Sequence, residues 1–298
     1  MGHDHDHAPA NYDKAFAIGI ALNLCYVVAE AVFGMLAHSL ALIADAGHNL
    51  SDVLSLLLAW GASRLSQMQP TNRYTYGLRS SSILASLINA IILLIAIGAI
   101  AWEAIGRFNQ PQEIPGGTVM AVAAFGVVIN AATALLFVKG RESDLNIKGA
   151  FLHMAADAGV SLGVVVAGFA IIQTGLYWID PATSLVIVAI IAIGTWGLLR
   201  DSARLALQAV PSGIDTSEVK AYLAALPQVA GVHDLHIWPM STTETALTAH
   251  LEMPNGNGGD KFLHDVCKHL HDQFKIEHCT FQIEQSAEAC SLAPERSV

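Results

Sequence analysis

The chain has 298 residues, 53% of them apolar and only 13% charged, with a net charge of −10. Ordinary soluble domains are about 25% charged. With a mean hydropathy of +0.48, this excludes a disordered or collagen-like chain, a basic nucleic-acid binder and an ordinary cytosolic enzyme.

The chain opens on His3-Asp4-His5-Asp6-His7, which reads as a metal-capturing tail (1–13) rather than a fold element. Six apolar runs follow, at 15–36, 39–62, 80–102, 117–138, 150–173 and 181–199. Each is long enough to cross a hydrocarbon core of about 30 Å as a helix. The first is not a cleaved signal peptide: it is too long, it holds Glu30, and the residues before it are acidic and His-rich. Nine cations (Lys14, Arg64, Arg73, Arg79, Lys139, Arg141, Lys148, Arg200 and Arg204) fall on one side of the runs and only Arg107 on the other. That bias places both termini of a multi-pass membrane protein in the cytoplasm. The transport domain is read as 14–203.

Residues 204–286 read as a small cytoplasmic α+β domain, and 287–298 as a tail. A helix is predicted over Asp215–Leu226, started by Asp215/Thr216 and stopped before Pro227. Alternation predicts strands at Val232–Trp238 and Thr245–Met253. A loop over Asn255–Gly259 precedes a helix at Asp260–Phe274 and a third strand at Cys279–Ile283. Trp238 is read as core. The four cysteines, Cys25, Cys267, Cys279 and Cys290, form no CxxC pair and no disulfide framework.

The few polar residues inside the apolar runs carry the chemistry, since each ionisable group at a span's centre costs about 2.5–3.5 kcal/mol. Span 2 holds Asp45, His48 and Asp52; span 5 holds His153 and Asp157; span 1 holds Glu30. His48/Asp52 and His153/Asp157 are each four residues apart, so each helix offers an imidazole and a carboxylate on one face. Face to face, the two helices supply two nitrogen and two oxygen ligands, a four-coordinate set suited to Zn²⁺. Metal and protons compete for such ligands, so binding of the metal releases protons. Asp45 and Glu30 are read as supporting residues or a proton path. Asn89 and Asn130 are read as interhelical hydrogen-bonding residues.

Four stretches, SLALIADAGHNLSD (39–52), RYTYG (73–77), LNIKGAFLHMAAD (145–157) and VHDLHIW (232–238), resemble the cation diffusion facilitator family, in its bacterial zinc-transporting branch. The resemblance implies six transmembrane helices, a ferredoxin-like cytoplasmic domain, a homodimer, and exchange of cytoplasmic metal for protons with His48, Asp52, His153 and Asp157 carrying the ion. It also implies a regulatory metal near His233, His250 and Glu284, with His236 and His278 as further candidates. Gln282 stands where one relative has His. Relatives tolerant of iron and cadmium carry Asp at the position of His48, so the imidazole here matches the zinc-selective version. The loop Ser63–Ser82 lacks the histidines of a second site found in some relatives. Ser82 replaces a Glu common in the family, which removes the basis for a charged contact at that position. His264, Cys267 and His271 share one helix face and read as packing with a solvated edge. The alternatives are a carrier of broader Cd²⁺, Co²⁺ and Ni²⁺ range, or a membrane metal sensor or channel without proton coupling. An enzyme is not expected: there is no HExxH, and four protein ligands close the site.

Overall fold

The structure, a computed structural model, describes residues 13–66, 68–138, 145–256 and 258–285. The His3–His7 tail, Lys139, Arg141, Cys290 and the tail 287–298 lie outside these residues, as does the side chain of Asp52.

Six long helices come first: α1 (Asp13–Leu36), α2 (Leu40–Ser66), α3 (Ser81–Asn109), α4 (Gly116–Phe137), α5 (Leu145–Thr174) and α6 (Ile179–Ala206). Each covers one of the predicted runs. Helices α3 and α6 continue past the apolar stretch, because nothing stops them until the residues before Pro111 and Pro211. The added turn of α3 carries a Glu103–Arg107 pair at 3.1 Å, the favourable i,i+4 spacing. Among the described residues, α3, α6, Gly116–Leu136 of α4 and Phe151–Thr174 of α5 are long and apolar enough to cross a membrane, and Ala21–Leu36 of α1 is a shorter apolar helix. The outward faces are apolar: Trp102 is 81% exposed and Ile193 78%. In water such faces would be costly; in lipid they are the expected surface.

Contacts divide the chain into two units, one of Met1–Leu57 with Asn89–Trp196, the other of Leu58–Ile88 with Gly197–Val298. The first has a core in which Ala41, Leu42 and Ala44 of α2 meet Val119 and Ala123 of α4, Val164 of α5 and Ile187 of α6. Small residues permit the closest approaches. A Cβ on Gly116 of α4 would lie 2.9 Å from the Gly168 carbonyl oxygen of α5, and one on Gly126 would lie 2.1 Å from the Tyr26 hydroxyl.

Helix α2 starts at a corner where His38 has φ +52°. Its first amides have no partner in their own helix. The buried carboxylate of Asp180, at the start of α6, fills that role. It accepts from Ser39 Oγ at 2.5 Å, the Leu40 amide at 2.8 Å and the Ala41 amide at 3.3 Å. Asp180 lies just before the sixth apolar run, so a search confined to the runs does not find it.

In the second unit, α7 (Thr216–Ala224), β1 (Gly231–Pro239), β2 (Thr245–Glu252), α8 (Gly259–Phe274) and β3 (His278–Glu284) follow the predicted α-β-β-α-β order. The sheet order is β1-β2-β3, with β1/β2 antiparallel and β2/β3 parallel. Asp215 caps α7, accepting from the Ser217 amide at 2.8 Å, and the Ser217 hydroxyl and amide hold its carboxyl below the usual range. Val219 and Leu223 of α7 and Val266 and Leu270 of α8 pack with Leu235 and Ile237 of β1 and Leu247, Ala249 and Leu251 of β2. The helices therefore cover one sheet face. Trp238 alternates with Ile237 onto the opposite face and is only half-buried, not core as the apolar run implied.

The α2–α3 connection belongs to this unit and meets the β1–β2 turn. Arg79 pairs with Glu244 at 2.9 Å, Ser80 Oγ donates to the Met240 carbonyl at 3.2 Å, and Ser82 Oγ accepts from the Thr242 amide at 3.1 Å. Ser82 thus makes a neutral contact, and the charged contact is made three residues earlier. Because both partners of the ion pair are about one-third exposed, Arg79→Ala should cost no more than about 1 kcal/mol in a thermal melt.

Candidate metal centres

The first centre lies between α2 and α5. His48 Nε2 is 3.3 Å from Asp157 Oδ1, and His153 Nε2 is 3.7 Å from Asp157 Oδ2. Three of the four predicted ligands are thereby gathered around one carboxylate. The helical register explains this: His153 and Asp157 are one turn apart on α5, and His48 faces them from α2. Asp157 is 1% exposed, yet neither of its oxygens has a hydrogen-bond partner. A buried carboxylate with both oxygens unbonded is costly unless a cation or proton occupies the site. The two imidazole nitrogens meet different oxygens of the one carboxylate.

Behind this centre, Glu30 and Asp45 are fully buried. Asp45 Oδ2 accepts from Ser161 Oγ at 2.9 Å, one turn beyond Asp157 on α5, and Glu30 Oε1 accepts from Tyr26 at 2.6 Å. Glu30 Oε2 and Asp45 Oδ1 meet no N–H or hydroxyl donor, but the two carboxyls interact with each other. Asn49 Nδ2 donates to the Asp45 carbonyl at 3.1 Å. Asn130 is fully buried, but neither side-chain amide atom is hydrogen-bonded, so the interhelical bond expected of it is not made.

The second centre lies on the sheet face away from α7 and α8. His233 of β1, His250 of β2 and Glu284 of β3 bring one nitrogen, one nitrogen and one carboxylate oxygen within 4.8 Å of one another. Direct pairing aligns His233 with His250 and Glu252 with Glu284, and the two-residue period puts Glu284 on the side of His250. Strict alternation would put His233 on the face of Leu235 and Ile237. A β-bulge prevents this: between the pairs His233/His250 and His236/Thr248, two residues of β1 oppose one of β2. Alternation is offset by one, and His233 turns to the ligand face. His233 Nε2 lies 3.0 Å from Glu284 Oε2 and His250 Nδ1 3.0 Å from Glu284 Oε1. Both nitrogens are buried and lack an aligned hydrogen-bond partner, so these donors fit a metal ion. Gln282 donates to Glu284 Oε1 at 3.0 Å, holding the carboxylate rather than extending the donor set.

The remaining candidates separate from this cluster. His278 packs edge-on against Tyr76 at 5.5 Å. His236 bonds to Asp234 at 3.0 Å. On α8, His264 and His271 are exposed and Cys267 is half-buried. Among the described residues, the one group of three or more donors whose ligand atoms all lie within 4.8 Å of one another is His233, His250 and Glu284; His48 and His153 reach different oxygens of Asp157. Burial, with Cys267 beside it, pushes the Cys279 thiol up to about 12. It stays protonated near neutral pH and is a poor metal ligand. Alkylation of Cys279 at pH 8 is expected to be slower than that of a free cysteine by about two orders of magnitude or more, read by mass spectrometry of iodoacetamide-treated protein.

Comparison with known proteins agrees with this layout. The pattern of the cation efflux transmembrane domain matches residues 16–205, and that of the cation efflux protein cytoplasmic domain matches residues 211–286. The chain is 32% identical to a cadmium, cobalt and zinc/H(+)-K(+) antiporter of Bacillus velezensis, over 84% of this chain and 80% of that one. It is 35% identical to the metal cation efflux system protein CzcD of Cupriavidus metallidurans, over 84% and 79%. It is 34% identical to the zinc transporter ZitB of Escherichia coli, over 91% and 88%. With both domain patterns matched and relatives aligned along most of their length, the chain belongs to the cation efflux, or cation diffusion facilitator, family.

Proposed function

We propose that the protein is a zinc/proton antiporter that moves Zn²⁺ out of the bacterial cytoplasm as a homodimer in the inner membrane, with both termini cytoplasmic. The observation that carries the reading is the convergence of His48 and His153 on Asp157, whose two buried oxygens are otherwise unbonded. Asp52, one turn beyond His48, supplies the fourth ligand. Two imidazoles and two carboxylates form a borderline, four-coordinate set that suits zinc better than the six-oxygen shell preferred by magnesium. Relatives named as zinc and as cadmium, cobalt and zinc transporters support the substrate class.

The exchange follows from ligand chemistry. A cytoplasm-facing site at neutral pH presents unprotonated imidazoles and carboxylates and binds the cation. Turned toward a more acidic exterior, the same groups take up protons and release it. Glu30 and Asp45, buried against each other behind the ligands, supply a proton path or hold the site's geometry. The centre at His233, His250 and Glu284 binds a regulatory zinc ion that draws two cytoplasmic domains together when cytoplasmic zinc rises.

Flux of a panel of divalent ions through reconstituted protein tests the substrate. Wild type is expected to prefer Zn²⁺, and His48→Asp to gain on Cd²⁺ relative to Zn²⁺ by roughly tenfold, as an imidazole ligand is exchanged for a carboxylate. An unchanged ion ratio in the variant would remove His48 as the selectivity residue.

A further inference from the structure

The β1 bulge also places Asp234. This residue sits at φ +50°, a left-handed conformation that Asp and Asn tolerate better than most residues. Its carboxylate lies between two imidazoles, with Oδ1 3.0 Å from His236 Nε2 and Oδ2 3.4 Å from His250 Nε2. The other nitrogen of His250, Nδ1, is the one that faces Glu284. A neutral imidazole binds a metal through one nitrogen and keeps its proton on the other, and the partner of that N–H decides which is which.

We propose that Asp234 is a positioning residue for the cytoplasmic metal centre. With metal bound, its Oδ2 closes the 3.4 Å ion-pair contact to His250 Nε2 and accepts the Nε2 proton, so that the ring presents its Nδ1 lone pair to the point shared with His233 and Glu284. His236 donates to the other carboxylate oxygen and fixes Asp234 from the solvent side. The bulge therefore performs two tasks at once: it turns His233 into the centre and sets the carboxylate that orients His250. The proposal rests on the reading of His233, His250 and Glu284 as a zinc site.

The test uses the full-length chain in detergent with the transport ligands removed (His48→Ala with Asp157→Ala) and the tail histidines His3, His5 and His7 changed to Ala, so that zinc titration against a chromogenic chelator reports the cytoplasmic centre. Asp234→Asn keeps a residue that accepts the left-handed backbone but removes the carboxylate. It is expected to weaken zinc binding 10- to 100-fold. Its zinc-free melting temperature should stay unchanged while its zinc-induced rise shrinks. Equal affinity in Asp234→Asn and parent would overturn the positioning role and leave the metal site standing. A zinc-free melting loss as large as the loss in the zinc-induced rise would also overturn it, by making Asp234 merely structural. Failure of the parent to bind more tightly than His250→Ala would overturn the metal-site reading itself, and the proposal with it.

Discussion

Asp157→Asn is expected to reduce zinc flux by at least about 100-fold, to background, in everted membrane vesicles loaded by a proton gradient. Loss of residues that merely orient a ligand costs about 10- to 100-fold in affinity, and Asp157 is placed closer than that. It is the group on which His48 and His153 both converge, at 3.3 and 3.7 Å. The substitution also separates function from fold. Metal-free wild type buries a carboxylate with no hydrogen bond to either oxygen, which destabilises the empty state. The isosteric amide removes that charge, so the variant should melt at the same temperature as metal-free wild type or higher. Retention of a tenth or more of wild-type flux would exclude Asp157 as a transport ligand.

Asp180→Ala should fail in the opposite way, through the fold. Three donors from the start of α2 end on this one buried carboxylate. Losing a helix cap costs about 0.5–2 kcal/mol, and leaving a buried donor unbonded about 1–3 kcal/mol. A loss of roughly 2–4 kcal/mol is expected, seen as a lower melting temperature and poorer yield in detergent. Asp180→Asn keeps an acceptor oxygen and should recover part of it. If Asp180→Ala melted as wild type does, the capping role would be wrong.

The two carboxylates show what a sequence exposes and what it hides. Asp157 is legible because it interrupts an apolar run one turn after a histidine, and because span 2 repeats the spacing. Asp180 is hidden because its partners are 139 to 141 residues away and no local period reports them. The six spans were legible from apolar length alone. Their ends were not, since a helix continues through polar residues until something stops it, as α3 does to Asn109. The α-β-β-α-β order was legible from alternation and turn residues. The β1 bulge was not, because one inserted residue leaves Val232–Trp238 looking like an ordinary strand. Its consequences for His233, Asp234 and Trp238 appear only when β1 is paired with β2. The neutral contact of Ser82 and the charged contact of Arg79 with Glu244 likewise depend on a turn 160 or more residues away in sequence.

The most direct measurement is zinc flux into proteoliposomes containing the purified chain, with and without an imposed pH gradient, while lumenal pH is followed by a trapped dye. Gradient-driven zinc entry, matched by proton exit and lost in Asp157→Asn, is the predicted result. Zinc entry at the same rate with and without the gradient, unaccompanied by proton movement, would contradict the antiport mechanism.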